Sequence, residues 1–275
     1  MKIMRATSKQ EEVDIAPLRS GFETLSAATQ RAVDVSDGAM GKTMTGRQMR
    51  GLFVFAKMIS HNMSIMSLAT DLVHDPEETA ILDHFSIATL ARASIDAALM
   101  TMYISEPSLS LNRWDFRRQL LFLHDTNNRS RFLKALTKRG VEFPFFESKD
   151  VIKQEILDKI KSLGAGLLYS EEKIAEYQKG TFMFVDGVRG AAREAGWDGD
   201  VFDFNQSYLS AFVHTHPVSF MRADDHDIKF GGASLFQVDF CHFVFTAVAE
   251  YTDSVVARMR AFSVPTTGDP NGHLD

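Results

Sequence analysis

The stretch ILDHFSIATLARASIDAALMTM, residues 81–102, decides the fold class. Along it Ile81, Phe85, Ala88, Ile95, Leu99 and Met102 recur at intervals of three, four or seven, the spacing that lines one face of an α-helix. Outward from this stretch, helices are predicted over 16–34, 47–74, 77–105, 111–137, 149–163, 170–179, 186–196, 201–214 and 233–262, and the alternation that marks strands is nearly missing. Short connections between long helices bring consecutive helices side by side, so the expectation is an all-α, multi-helix antiparallel bundle. The last span, with Phe236, Phe240, Phe243, Val244 and Val248, reads as its central helix.

The seven prolines punctuate this pattern: Pro17 and Pro76 near helix starts, Pro107, Pro144 and Pro217 in connections, Pro265 and Pro270 in a polar tail. No repeat and no Gly/Ser- or Pro-rich linker divides the chain. The expected organisation is one helical domain over 15–262, with flexible tails at 1–14 and 263–275.

At 275 residues, with 45% hydrophobic and 24% charged side chains, the chain can bury a large core. Its 22 Phe against 5 Tyr and 2 Trp supply apolar area with few polar handles. The net charge of -6 disfavours nonspecific attraction to phosphate backbones, which needs clustered Lys and Arg. One cysteine, Cys241, cannot form an internal disulfide and sits in an apolar helical segment, which reads as a core residue in a reducing cytoplasm. No signal-peptide-like stretch occurs and no membrane span is expected. Phosphate loops, dinucleotide fingerprints, Gly-x-Ser-x-Gly elbows and zinc-protease helices do not occur in the sequence.

Four polar groupings have the composition of chemistry. Arg92 lies on the apolar face of its helix one turn before Asp96, so its guanidinium needs that carboxylate or an external anion to offset desolvation. The run Tyr208-Leu-Ser-Ala-Phe-Val-His214-Thr-His216-Pro217 ends a helix in two histidines, which the helix dipole favours there, and Asp224, Asp225, His226 and Asp227 follow as candidate metal ligands. Arg117, Arg118 and His124 share one helix. A guanidinium can stabilise a pentacoordinate phosphorus while an imidazole moves protons, the needs of metal-independent RNA cleavage. On an ideal helix Arg118 and His124 are about 120° apart whereas Arg117 and His124 nearly coincide. Finally, Asp71/His74 and Asp239/His242 repeat a carboxylate-x-x-His spacing of helical metal sites, without the glutamates that such sites use.

The helix carrying Arg92-Ala-Ser-Ile-Asp96, the Arg/His helix after it, and the later Tyr208-Leu-Ser210 with His214 resemble a family of uncharacterised bacterial all-helical proteins, distantly similar to HEPN-type domains. The likeness spans about residues 50–250, with Asp96 in place of the family's glutamate. It implies a helical bundle, often dimeric, in which Arg92, Asp96, Tyr208 and His214 converge on a pocket for an anionic ligand or RNA phosphate. It further implies RNA cleavage by Arg118 and His124 in stress or phage defence, with no metal and no cofactor. A noncatalytic homodimerising or partner-binding protein, and a metal-dependent helical enzyme, are the alternatives that the residues leave open.

Overall fold

The computed structural model describes residues 13–75, 81–140 and 150–265. Among them the chain forms ten α-helices, no strand and one isolated bridge between Ile81 and Gly232, so the fold is an all-α multi-helix bundle. The helices are α1 (Ala16–Ala39), α2 (Gly46–Ser67), α3 (Thr70–His74), α4 (His84–Ile104), α5 (Leu111–Thr137), α6 (Asp150–Gly166), α7 (Glu171–Tyr177), α8 (Gly187–Glu194), α9 (Gly199–Val213) and α10 (Leu235–Phe262). They fall into two compact units: residues 1–105 with 203–275, and residues 106–202. Both units contribute to the stretch 15–262 expected to form one helical domain; most residues of the expected tails lie outside the described ones.

Local chemistry sets the helix starts. Thr45 and Ser234 each accept from the backbone N–H three residues on, while Gln48 and Gln237 reach back to the cap N–H, two complete capping boxes. Asp83, Ser110 and Ser170 cap α4, α5 and α7 through a side-chain oxygen. The predicted helix 47–74 is interrupted: Ala69 N–H bonds Met66 O in a tightened turn, and the chain restarts as α3. The predicted start at 77 falls outside the described residues, and α4 begins at His84 behind its Asp83 cap. Pro76, Pro144 and Pro270 also lie outside the described residues.

In the first unit, α1, α2, α4 and α10 form a four-helix ring whose core includes Leu25, Phe55, Ile87, Ile95, Phe245 and Val255. Gly21 lets α1 approach His242 of α10 so closely that an added Cβ would lie 3.1 Å from its backbone. The register is fixed by a buried polar chain: Asn62 Nδ2 donates to Thr252 Oγ1 (2.9 Å) and Ser94 Oγ to Asn62 Oδ1 (2.5 Å). Antiparallel pairing holds where connections are short, α1 with α2 and α2 with α4. The long return through the second unit places α10 parallel to α1, Pro17 opposite His242 and Arg31 opposite Asp253. It is also parallel to α4, and Gln48 Nε2 ties the start of α2 to the carbonyls of Phe262, the last residue of α10, and of Val264 just beyond it (2.7 and 2.8 Å).

α4 is long and apolar enough to cross a membrane by composition, with 67% of that window buried inside the protein. The second unit packs α5 against α6, and α6 against α7, around Phe116, Leu120, Leu123, Ile156, Ile160, Tyr177 and Val185.

Candidate functional site

In the first unit, α4 brings Arg92 and Asp96 together as an i, i+4 ion pair. The Arg92 side chain is 22% exposed and that of Asp96 52%, so the pair sits at the rim of the apolar face. Arg92 Nε is buried without a hydrogen-bond partner, and Gln206 Nε2 of α9 donates to Asp96 Oδ1 at 3.3 Å. Tyr208 stacks on Phe204 (5.5 Å) and meets Phe212 and Phe240 edge-on, and its burial raises its phenol pKa above the usual value. His214 is exposed and stacks on His216 at 5.6 Å. Thr215 between them has φ 52°, which turns the chain so that two residues two apart present parallel rings. Of the four residues expected to converge, Arg92 and Asp96 meet, while Tyr208 and His214 each find aromatic neighbours.

His242 directs Nδ1 at the carbonyl of Pro17 (2.8 Å), and His74 packs edge-on against Phe22, so both histidines of the carboxylate-x-x-His pairs are engaged within the helix packing. Among the described residues no three His, Cys, Asp or Glu side chains gather as a metal ion requires. Cys241 is fully buried, and desolvation pushes its thiol far above the ordinary range.

In the second unit, α5 carries Arg117, Arg118 and His124. Arg118 pairs with Asp115 one turn back (3.0 Å), its side chain 14% exposed and its Nε buried without a partner. His124 meets Asn128 at 3.2 Å from Nδ1. Six residues along one helix separate Arg118 from His124 by roughly 9 Å of rise and about 120° of rotation, so each keeps a local partner.

Arg117 is buried and forms an ion pair with Glu194 at the end of α8. That pair borders a cleft of about 710 Å³ lined by Lys173 of α7 and by Asp186, Gly190, Arg193 and Glu194 on and before α8, with Phe182 as its apolar wall. Lys173 Nζ is fixed over the rings of Tyr177 and Phe182, 5.3 Å from each centroid, and bonds Glu176 at 3.0 Å. Gly190 abuts Asp186 so tightly that a Cβ there would overlap the Asp186 side chain. Burial and the Asp186 charge raise the Tyr169 phenol, with Arg113 and Arg117 acting the other way. Sequence reading placed Arg117 on its helix but missed this cleft, because Arg117 and Glu194 are 77 residues apart and no short motif announces either.

No family model, no curated protein and no solved structure matches this chain.

Proposed function

We propose that this protein binds a small anionic ligand in the cleft beside α7 and α8, with no catalytic step attached. The observation that carries the reading is a cleft in which Lys173 and Arg193 are presented next to the buried Arg117–Glu194 pair. A singly or doubly charged group would seat on the two cations, where charge-assisted hydrogen bonds are stronger than neutral ones, and an apolar part would lie on Phe182. Asp186 and Glu194 limit how much negative charge the site tolerates, which favours one phosphate or carboxylate over a polyanionic strand. Arg118 and His124 supply no supporting contact for RNA cleavage.

Calorimetric titration tests this with inorganic phosphate, citrate, a mononucleotide and single-stranded RNA as probes. At least one small anion is expected to bind, and Lys173→Gln with Arg193→Gln to weaken it about tenfold or more. Failure of every small anion, or indifference to both substitutions, overturns the reading. RNA shortened in a manner lost in Arg118→Ala and His124→Ala would restore the ribonuclease reading instead.

A second reading, self-association, rests on α2. Met49, Phe53 and Met63 project from one narrow arc of that helix and are all exposed, Phe53 at 72%. Light scattering is expected to report a dimer that Phe53→Glu converts to monomer. A monomeric native chain removes this reading.

A further inference from the structure

The segment between α9 and α10 is held by little apolar burial. Val218, Phe220, Met221 and Phe230 are all exposed, so their side chains do not anchor it. It has turns at Thr215 (φ 52°) and Asp227 (φ 47°), neither of them glycine, a conformation that costs L-residues free energy and recurs at switch segments. Each turn is closed by a backbone hydrogen bond five residues back, His216 N–H to Ala211 O (2.8 Å) at the end of α9 and Ile228 N–H to Ala223 O (3.0 Å).

What holds the segment is the bridge from Gly232 to Ile81 and a small set of contacts around Gln237. The Gln237 Oε1 accepts from Lys229 N–H (3.0 Å) and its Nε2 donates to Lys229 O (3.1 Å), clasping the segment's backbone from both sides. The same Nε2 donates to Leu82 O (3.1 Å) and faces His84 Nδ1 at 3.4 Å. Beside this clasp, His226 of the segment lies flat on Phe236, 4.0 Å between centroids at 12°. His84 is 2% exposed and ringed by Phe85, Phe212, Phe236 and Phe240.

We propose that residues 214–234 are an acid-released strap: closed over the aromatic cluster of the first unit while His84 is neutral, and freed when His84 takes a proton. The two hydrogens of the Gln237 amide go to Lys229 O and Leu82 O, and a neutral imidazole sets the Nδ1 lone pair beside them. An imidazolium sets an N–H against that amide's N–H and places a charge among four phenyl rings, so the clasp on Lys229 loses its geometry. The titratable groups on the surrounding elements include Asp83, the cap of α4, Tyr208 on α9, Asp239 and Cys241 on α10, and His226, Asp227 and Lys229 on the strap itself. Burial outweighs the favourable Asp83 charge and the Leu82 backbone carbonyl, both of which favour the imidazolium, and holds His84 below the ordinary histidine value of 6.5. Asp83 is already accepting from the Ser86 N–H, and Lys229 pairs with Asp227 (3.1 Å).

The sign follows from that direction. In the opened state His84 returns toward its ordinary value, so below about pH 6.5 the open state binds the extra proton, and opening gains at most about tenfold per pH unit. Hydrogen exchange of the full chain, compared at about pH 7.5 and about pH 5.5 after correction for intrinsic rates, reads this directly. Amides of residues 216–233 are expected to lose up to about tenfold in protection at the acid condition, while those of α10 beyond Val238 keep theirs. His84→Phe should abolish the response, and His226→Phe, which preserves the stack on Phe236, should retain it. Equal protection of the native strap at both conditions overturns the proposal. So does a response that survives in His84→Phe or vanishes in His226→Phe, and the native and His226→Phe comparison stands even if His84→Phe does not fold.

Discussion

Single residues carry conformations that the sequence does not advertise. Leu168 ends α6 in the left-handed region (φ 62°), with Tyr169 N–H bonded to Gly164 O, and its side chain is 92% exposed. Nothing apolar is gained there, so Leu168→Gly is expected to raise unfolding stability by about 1 kcal/mol in chemical denaturation. Gly180 is the opposite case: its φ of 70° and the Asn127 amide beside it exclude a Cβ, and Gly180→Ala should lower stability by about 1–3 kcal/mol in the same assay. The Arg92–Asp96 pair was legible from its i, i+4 spacing, since one helix supplies both partners. The Arg117–Glu194 pair was not, because only the tertiary packing of the second unit brings those residues together.

Elements were the most legible level, and their ends show why. Helix α5 spans 111–137 as the pattern predicts, because Ser110 caps it and polar residues break its period afterwards. The break between α2 and α3 escaped, since Leu68 and Ala69 carry no proline or glycine and the turn is tightened by backbone bonds alone. The buried chain of Ser94, Asn62 and Thr252 also has no local signal, yet it locks three helices in one register. Ser94→Ala leaves the Asn62 carbonyl oxygen without a donor inside the core. It is expected to cost about 1–3 kcal/mol, measured as a lowered denaturation midpoint with an unchanged slope. Gln48 and Gln237 repeat one device at two corners: each completes a capping box through its carbonyl oxygen and binds backbone of another element through its amide. The Thr45-x-x-Gln48 and Ser234-x-x-Gln237 spacings were present in the sequence; the second partner of each amide was not.

At the scale of the whole molecule, two histidines make stability depend on pH. Burial lowers His84, and burial together with the Lys57 charge lowers His61. Both are neutral in the folded state and return toward 6.5 on unfolding, so their contribution is fully present above about pH 6.5 and is lost as pH falls through the folded values. Thermal midpoints measured from about pH 8 downward should be level until about pH 6.5 and then decline. Replacing both histidines with Phe should shrink the decline, and an unchanged decline would assign it to carboxylates elsewhere.

The division into two units was invisible from composition, because the chain enters the second unit through the short connection between α4 and α5 and leaves it within α9, without a linker. Its consequence falls on synthesis. Residues 106–202 emerge from the ribosome as an uninterrupted piece, whereas α1, complete at Ala39, waits for α10 until Phe262 has been made. At about 5–20 residues per second that wait lasts on the order of ten to forty seconds. During it the face of α1 bearing Leu18, Leu25, Ala28 and Ala32, later sealed in the core, has α2 beside it but lacks α10, its principal partner. In the newborn protein, an apolar face left uncovered for that interval is the kind of surface on which chaperones act.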